Sequence, residues 1–343
     1  MTSISDSLDI FLITYNRAKS LDKTLSQILS VESPIRDFEI QIIDNNSTDN
    51  TREIVAKWQE EFPNLKYEKN KYNIGGNANI VNAFYKANKD YVWVLCDDDN
   101  YEWSTWNEVV DSILSGVDCI IVANTDIPKV NEAQMFAQTS FVPGTIYKMA
   151  NFDETLLDNM LYNISNMFPH LAFSAKLINE NKKFKIVSSP IVLYGGDSEL
   201  DISQTYIRGT KNQELHPYRA SLSYQAGYAN SLLMIKDKNK RHEIAEKRLF
   251  YPSSLSSAET ISENFDSLYN LFCIFIILSP AQKLRFIVNA FLTFTLYKFC
   301  YVYARETYDE KTDSITRIYW LRLFNFLKTK IFKVVYTVKL GGS

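Results

Sequence analysis

Three consecutive carboxylates, Asp97, Asp98 and Asp99, stand where the apolar run Asp90 to Leu95 breaks off. Like charges this close repel one another unless a cation or solvent compensates them. A set of oxygen ligands with open coordination positions suits a hard divalent ion, Mn²⁺ or Mg²⁺, bound to a phosphate. A solvated acidic turn has the same composition, so the triplet has to be weighed with its neighbours. Two other polar clusters close apolar runs in the same manner: Thr14-Tyr15-Asn16-Arg17 and Asp44-Asn45-Asn46-Ser47-Thr48-Asp49. A glycine-bearing loop, Asn73-Ile74-Gly75-Gly76-Asn77, precedes the segment that leads to the triplet.

The elements that must position these clusters are legible from periodicity. Asp9 to Ile13 is a short apolar run, and Leu21, Leu25, Ile28 and Leu29 follow at three- and four-residue spacing, which predicts strand, turn, helix. Phe38 to Ile43 predicts a second strand, with a helix over Thr51 to Trp58 for which Ser47 or Thr48 is the N-cap. A third unit runs through Leu65 to Glu68, the glycine loop and a helix carrying Ile80 and Phe84, and the next strand delivers the triplet. Strands alternating with helices predict an α/β chain with a parallel sheet, whose ligands bind beyond the carboxyl ends of the strands. Any one cluster is ordinary turn chemistry, with Asn and Asp as turn formers and Gly75-Gly76 supplying a positive φ. Recurrence at the same end of successive strands predicts one shared crevice.

In order and spacing, the runs FLITYNRAKSLDKTLSQIL, EIQIIDNNSTDNT, NIGGNANIVNAF and DYVWVLCDDDN resemble the amino-terminal half of the family 2 glycosyltransferases, over roughly residues 7 to 125. The resemblance implies the GT-A fold, a Rossmann-like, mixed and mainly parallel sheet flanked by helices that binds a nucleotide-diphosphosugar. It also implies that Thr14, Tyr15 and Asn16 border the nucleotide, that Asp44 contacts the base with Asn46 beside it, and that Asn73, Gly75, Gly76 and Asn77 form the adjoining loop. The triplet matches the family's DxD motif, in which the last carboxylate binds the metal and an earlier one contacts the ribose or the metal. Registers Asp97 with Asp99 and Asp98 with Asp99 both fit, and Asp99 is the metal ligand in either. Two features depart from the pattern: Thr14 stands where many relatives carry proline, and the arginine often found in the loop before the motif has no clear counterpart.

Beyond about residue 125 the resemblance thins. The stretch His170 to Val187 resembles the helix and strand that often precede the family's catalytic base, which directs attention to Tyr194 to Asp201 (YGGDSELD). An inverting transfer needs one carboxylate to accept the proton of the acceptor hydroxyl. Asp197 is the first choice for that base and Glu199 the second. Some metal-dependent relatives add a histidine to the ion or diphosphate, a role open to His216, although a histidine before proline also reads as a plain loop residue. Arg208 and Lys211 are either diphosphate contacts or a solvated basic turn.

The 343 residues exceed one catalytic domain of roughly 220 to 250 residues, so residues 1–235 are expected to form the GT-A domain and 236–343 a helical carboxyl-terminal region. A net charge of −3 carries no nucleic-acid signal. Cys96, Cys119, Cys273 and Cys300 lack metal-type spacing and read as reduced thiols, and the polar start Met1 to Leu8 is unlike a secretory leader; both point to the cytoplasm. Leu268 to Leu278 and Leu284 to Tyr303 fall short of the roughly 18 to 20 clean apolar residues that span a bilayer. They are expected to pack on the catalytic domain, lie in the membrane interface or pair two chains as a homodimer. Ile318 to Leu340 reads as a basic amphipathic helix suited to anionic lipid, or packed on the preceding hairpin.

Together with the resemblance, these features describe an inverting, metal-dependent glycosyltransferase, peripheral on the inner face of the plasma membrane. It would extend a bacterial surface glycan from a nucleotide-sugar donor, with a UDP-sugar expected and other nucleotides open, onto a glycan or lipid-linked acceptor. A sugar nucleotidyltransferase is disfavoured because Thr14 to Lys19 is not a glycine-rich basic loop. A non-catalytic scaffold recruited to the membrane by its basic tail is disfavoured by the intact triplet.

Overall fold

The structure, a computed structural model, describes residues 3–123, 132–164, 168–195, 227–248, 272–284 and 286–287. After one turn of helix, α1 (Ile4–Ser7), three strand-helix units follow: β1 (Leu8–Thr14) with α2 (Ala18–Ile28), β2 (Ile40–Asp44) with α3 (Thr51–Glu61), and β3 (Leu65–Lys69) with α4 (Gly76–Lys86). Strand β4 (Tyr91–Cys96) then carries the chain to the acidic triplet. Next come β5 (Asn100–Tyr101), α5 (Trp106–Leu114), β6 (Cys119–Ile121), α6 (Glu132–Gln138), β7 (Thr145–Lys148), α7 (Glu154–Tyr162), α8 (Leu171–Asn179), β8 (Phe184–Ile186) and β9 (Val192–Leu193). The helix and strand expected within His170 to Val187 are α8 and β8.

Seven strands form one sheet in the order β3-β2-β1-β4-β7-β6-β8. The first four are parallel, β7 is antiparallel to both β4 and β6, and β8 is parallel to β6. The sheet is therefore mixed and mainly parallel. The chain runs outward from β1 through β2 to β3 and then returns to the other side of β1 as β4. That reversal opens a crevice at the carboxyl ends of β1 and β4. The register brings the polar clusters to the same edge, since Thr14 pairs with Asp44 and Ile13 with Cys96.

Helices cover both faces of the sheet, which is why its strands read as near-continuous apolar runs and why Tyr91 to Leu95 is wholly buried. On one face Leu21, Leu25, Val55 and Val109 pack with Ile10, Leu12, Ile42 and Trp93. On the other, Phe84, Met160, Phe173 and Leu177 pack with Phe11, Val92, Val94 and Tyr147. Tyr147 stacks on Phe173 with ring centroids 4.5 Å apart. The buried Trp93 indole N–H donates to the Pro143 carbonyl at 2.7 Å, so this large apolar side chain leaves no polar group unpaired.

A third apolar cluster joins Phe136 of α6 and Leu171, Ala175 and Ile178 of α8 to Tyr228, Leu232, Ile235, Ile244, Ile274, Ile277 and Leu278. The described part of the carboxyl-terminal region thus packs on α6 and α8. Phe272, Ile276, Leu284 and Ile287 of the same region are exposed. No helix among the described residues is long and apolar enough to cross a membrane. The basic stretch Ile318 to Leu340 lies outside the described residues.

His170 enters α8 from a buried position, with Nε2 3.1 Å from the Ser140 carbonyl. Its other ring nitrogen, Nδ1, has no hydrogen-bond partner. Burial lowers its pKa from 6.5 to about 4, against the opposing pull of the Ser140 and Thr139 carbonyls. The unfolded chain therefore binds this proton more tightly. The imidazole's stabilising contribution is complete above about pH 6.5 and is lost as the pH falls towards 4, by up to about 3 kcal/mol. Urea-unfolding midpoints measured between pH 7.5 and 4.5 should show that fall, and His170→Gln should flatten it. An identical slope in the variant would assign the acid sensitivity to other groups.

Candidate functional site

The site is built around the turn that ends β4. Thr14, the last residue of β1, donates its hydroxyl to Asp97 Oδ2 at 2.6 Å, a bond that joins the ends of the paired strands β1 and β4. Three residues on, at the start of α2, Arg17 places one guanidinium nitrogen 3.0 Å from Asp97 Oδ1 and 2.9 Å from Asp98 Oδ2. Both oxygens of Asp97 are thus occupied by groups from the first loop. A proline at position 14 could make no such bond, so the departure from the family pattern has a physical role.

Asp97 and Asp99 are each only 2% exposed. Burial raises Asp97 to about 6, opposed by the adjacent Arg17 charge. Asp99 is pushed up to about 8, by burial first and then by the charge of Asp98. Asp99 Oδ1 accepts the Gly195 N–H at 3.3 Å, whereas Oδ2 is buried without a hydrogen-bond partner. Ligand atoms of Cys96, Asp98 and Asp99 all lie within 4.8 Å of one another. The Cys96 thiol is raised by burial and by the neighbouring carboxylates, which keeps it protonated and leaves Asp98 and Asp99 as the hard donors. An orphaned buried carboxylate oxygen beside a second carboxylate fits Mn²⁺ or Mg²⁺.

The loop after β2 is held as tightly. Asp44 is fully buried: its Oδ1 accepts the Ser47 N–H at 2.7 Å and the Ser47 hydroxyl at 2.6 Å, and its Oδ2 accepts the Tyr67 hydroxyl at 2.6 Å. Burial and then Asp44 raise the Tyr67 pKa, keeping that hydroxyl a donor. Asn16 and Asn46 adopt left-handed backbone (φ 51° and 69°), and Asn16 Oδ1 accepts the Thr48 N–H at 2.7 Å, tying the two loops together.

Asn45 anchors the glycine loop. Its Nδ2 donates to Asn73 Oδ1 at 2.8 Å, and its Oδ1 accepts from Asn70 Nδ2 at 3.1 Å and from the Ile74 N–H at 3.0 Å. Gly75, at φ 88°, donates its N–H to Asn73 Oδ1 and leads into α4, which begins at Gly76. Asn77 turns away from this network and donates to the Ile164 carbonyl at 2.7 Å.

The structure therefore brings Thr14, Asn16, Asp44, Asn46, Asn73, Gly75, Asp97, Asp98 and Asp99 to one edge of the sheet, with the half-buried Tyr15 in the first loop. Asp197, Glu199, Arg208, Lys211 and His216 lie outside the described residues. Sequence reasoning did not single out Arg17, Gln27, Asn45, Tyr67 or Gly195. Arg17 carried the clearest signal, as the cation directly after the first polar cluster.

A family model described as "Glycosyl transferase family 2" matches residues 9–179. The chain belongs to that family. Abequosyltransferase RfbV of Salmonella typhimurium is 39% identical over 88 residues, which is 25% of this chain and 26% of that protein, so the match spans about a quarter of RfbV. GalNAc(5)-diNAcBac-PP-undecaprenol beta-1,3-glucosyltransferase of Campylobacter jejuni is 24% identical over 287 residues, 78% of this chain and 87% of that protein. Among solved structures, S. aureus TarS 1-349 in complex with UDP-GlcNAc superposes with a TM-score of 0.57 at 17% identity, covering 85% of this chain and 92% of that one. This likeness establishes the GT-A fold.

In this family 2 chain Arg17 is the protein's own counter-charge to Asp97 and Asp98. Arg17→Met should destabilise the metal-free protein by roughly 2 to 4 kcal/mol, the usual consequence of removing one partner of a largely buried ion pair. Arg17→Lys should fall between, since one ammonium replaces the fork of a guanidinium. Added Mn²⁺ should raise the melting temperature of Arg17→Met more than that of the wild type. Equal shifts would mean that Arg17 does not substitute for the cation.

Proposed function

We propose that this chain is an inverting, divalent-metal-dependent glycosyltransferase. It moves a sugar from a nucleotide-diphosphosugar, a UDP-sugar first, to a hydroxyl of a glycan or lipid-linked acceptor in bacterial surface polysaccharide synthesis. The observation that carries the reading is the orphaned Oδ2 of Asp99, buried beside Asp98 at the point where the strand order reverses. The relatives' names support the substrate class: RfbV is an abequosyltransferase, and the Campylobacter enzyme glucosylates a glycan carried on undecaprenyl diphosphate. The TarS complex with UDP-GlcNAc is an instance of this fold with a UDP-sugar bound.

In the proposed reaction Asp98 and Asp99 would hold Mn²⁺ or Mg²⁺, Asp97 would replace Asp98 in the alternative register, and His216 would be a further ligand to the ion or the diphosphate in either. A divalent ion there supplies counter-charge to the departing diphosphate. The nucleoside lies along the loops of Thr14, Tyr15 and Asn16 and of Asp44 and Asn46, against Asn73, Gly75, Gly76 and Asn77. Asp97, held by Thr14 and Arg17, faces the ribose. Asp197 takes the proton of the acceptor hydroxyl, with Glu199 the second choice. The freed oxygen forms its bond to the anomeric carbon as the bond to the diphosphate oxygen breaks on the opposite face, which inverts the configuration.

Residues 1–235 would carry this chemistry. Residues 236–343 would bring it to the inner face of the plasma membrane, where a lipid-linked acceptor is presented, with homodimer formation as the other use of their apolar surface.

The test is a thermal-shift and calorimetric panel of UDP, GDP, dTDP and CMP, each with and without Mn²⁺. UDP with Mn²⁺ should stabilise the wild type, and Asp99→Ala should lose that stabilisation and all transfer while remaining folded. Asp197→Asn should keep nucleotide binding and lose transfer by at least about 100-fold. A response to none of the nucleotides would overturn the donor site, and normal turnover by Asp197→Asn would pass the base to Glu199.

A further inference from the structure

Asp99 is gripped by two elements that carry none of the expected ligands. From α2, Gln27 donates Nε2 to the Asp99 carbonyl at 3.3 Å and accepts the Tyr101 N–H through Oε1 at 3.1 Å, so one amide braces the backbone on both sides of Asn100. On the opposite side, β9 pairs antiparallel with β5, matching Asn100 to Leu193 and Tyr101 to Val192. That pairing delivers Gly195, whose N–H reaches Asp99 Oδ1 at 3.3 Å. A β-carbon on Gly195 would lie 1.6 Å from the Asp98 carbonyl oxygen and 3.0 Å from the Asp99 α-carbon. Backbone meets backbone here, so no side chain can move aside to admit one, and only glycine passes at this distance.

These contacts sort the two oxygens of Asp99. Oδ1 is held by Gly195, and Oδ2 stays buried with no partner from the protein. We propose that Gln27 and Gly195 are positioning residues that fix the backbone and side-chain torsions of Asp99 so that Oδ2 is the oxygen offered to the divalent ion; the inference rests on the reading of Asp99 as the cation ligand. Groups that hold a metal ligand in place typically alter metal affinity 10- to 100-fold when removed, and the same range is expected here.

The experiment measures Mn²⁺ binding to the full chain by the loss of the free-ion electron paramagnetic resonance signal, in the presence of UDP. Gln27→Met keeps the length and packing of the side chain while removing both hydrogen bonds. Gly195→Ala introduces the forbidden β-carbon, and Tyr194→Ala alters the neighbouring exposed side chain as a control. Mn²⁺ affinity should fall at least 10-fold in Gln27→Met and Gly195→Ala and stay within twofold of wild type in Tyr194→Ala, with metal-free UDP affinity unchanged within twofold in all three. Mn²⁺ affinity within twofold of wild type in Gln27→Met overturns the proposal, and this variant decides alone where Gly195→Ala does not fold. Wild-type Mn²⁺ affinity in Asp99→Ala would instead remove the reading on which the proposal rests.

Discussion

Everything at this site answers to one electrostatic constraint: three carboxylates are held at the end of a buried strand. Taking an ionised carboxylate out of water costs several kcal/mol unless charge or hydrogen bonds replace the lost hydration. The fold meets that cost unevenly. Thr14 and Arg17 satisfy Asp97, Arg17 also satisfies one oxygen of Asp98, and Asp99 receives a single backbone N–H. The remaining deficit falls on one oxygen of Asp99. Its position follows from the donors around it.

The same logic explains why neutral amides dominate the other loops. Asn45, Asn70, Asn73 and Asn79 are linked by side-chain hydrogen bonds, with Asn79 also donating to the Ile43 carbonyl at 3.2 Å. Amides supply donors and acceptors together, so a buried network can close without adding charge beside the triplet. Asp44 is the buried exception and is saturated by Ser47 and Tyr67. Rigid loops of this kind fix the walls of the crevice before any ligand arrives, which reduces the ordering that binding would otherwise require.

Legibility from sequence followed the range of the interactions. The strand-helix units were readable because the period of apolar residues is a local property, and the polar clusters were readable because strand ends and turns are adjacent in the chain. Arg17 was visible as a residue, but its attachment to Asp97 and Asp98 joins positions about eighty apart and depends on β1 lying beside β4. The antiparallel β7 and the two-residue β5 and β9 were not foreseen either. Each is too short to show a period of its own, and each exists because a neighbouring strand edge accepts it. Gly195 stands in the sequence only as part of the stretch Tyr194 to Asp201, whereas the structure requires glycine there for close backbone approach.

That contrast bears on the register of the expected DxD motif, which the sequence leaves open between Asp97 with Asp99 and Asp98 with Asp99. Side-chain order along three adjacent residues cannot decide it, because a turn can aim any of the three into the crevice. The donors around each carboxylate distinguish them. Asp97 has its Oδ2 on Thr14 and its Oδ1 on Arg17, and both partners come from the end of β1 and the loop after it. Asp98 shares Arg17 yet lies in the cluster with Asp99, so it has one foot in each network. Ligand atoms of Asp98 and Asp99 lie within 4.8 Å of each other, whereas both oxygens of Asp97 already have partners. In the proposed reaction this arrangement favours Asp98 and Asp99 as the ligand pair and leaves Asp97 to the nucleotide side, a division of roles among three identical side chains that rests on the hydrogen bonds of one threonine, one arginine and one glycine.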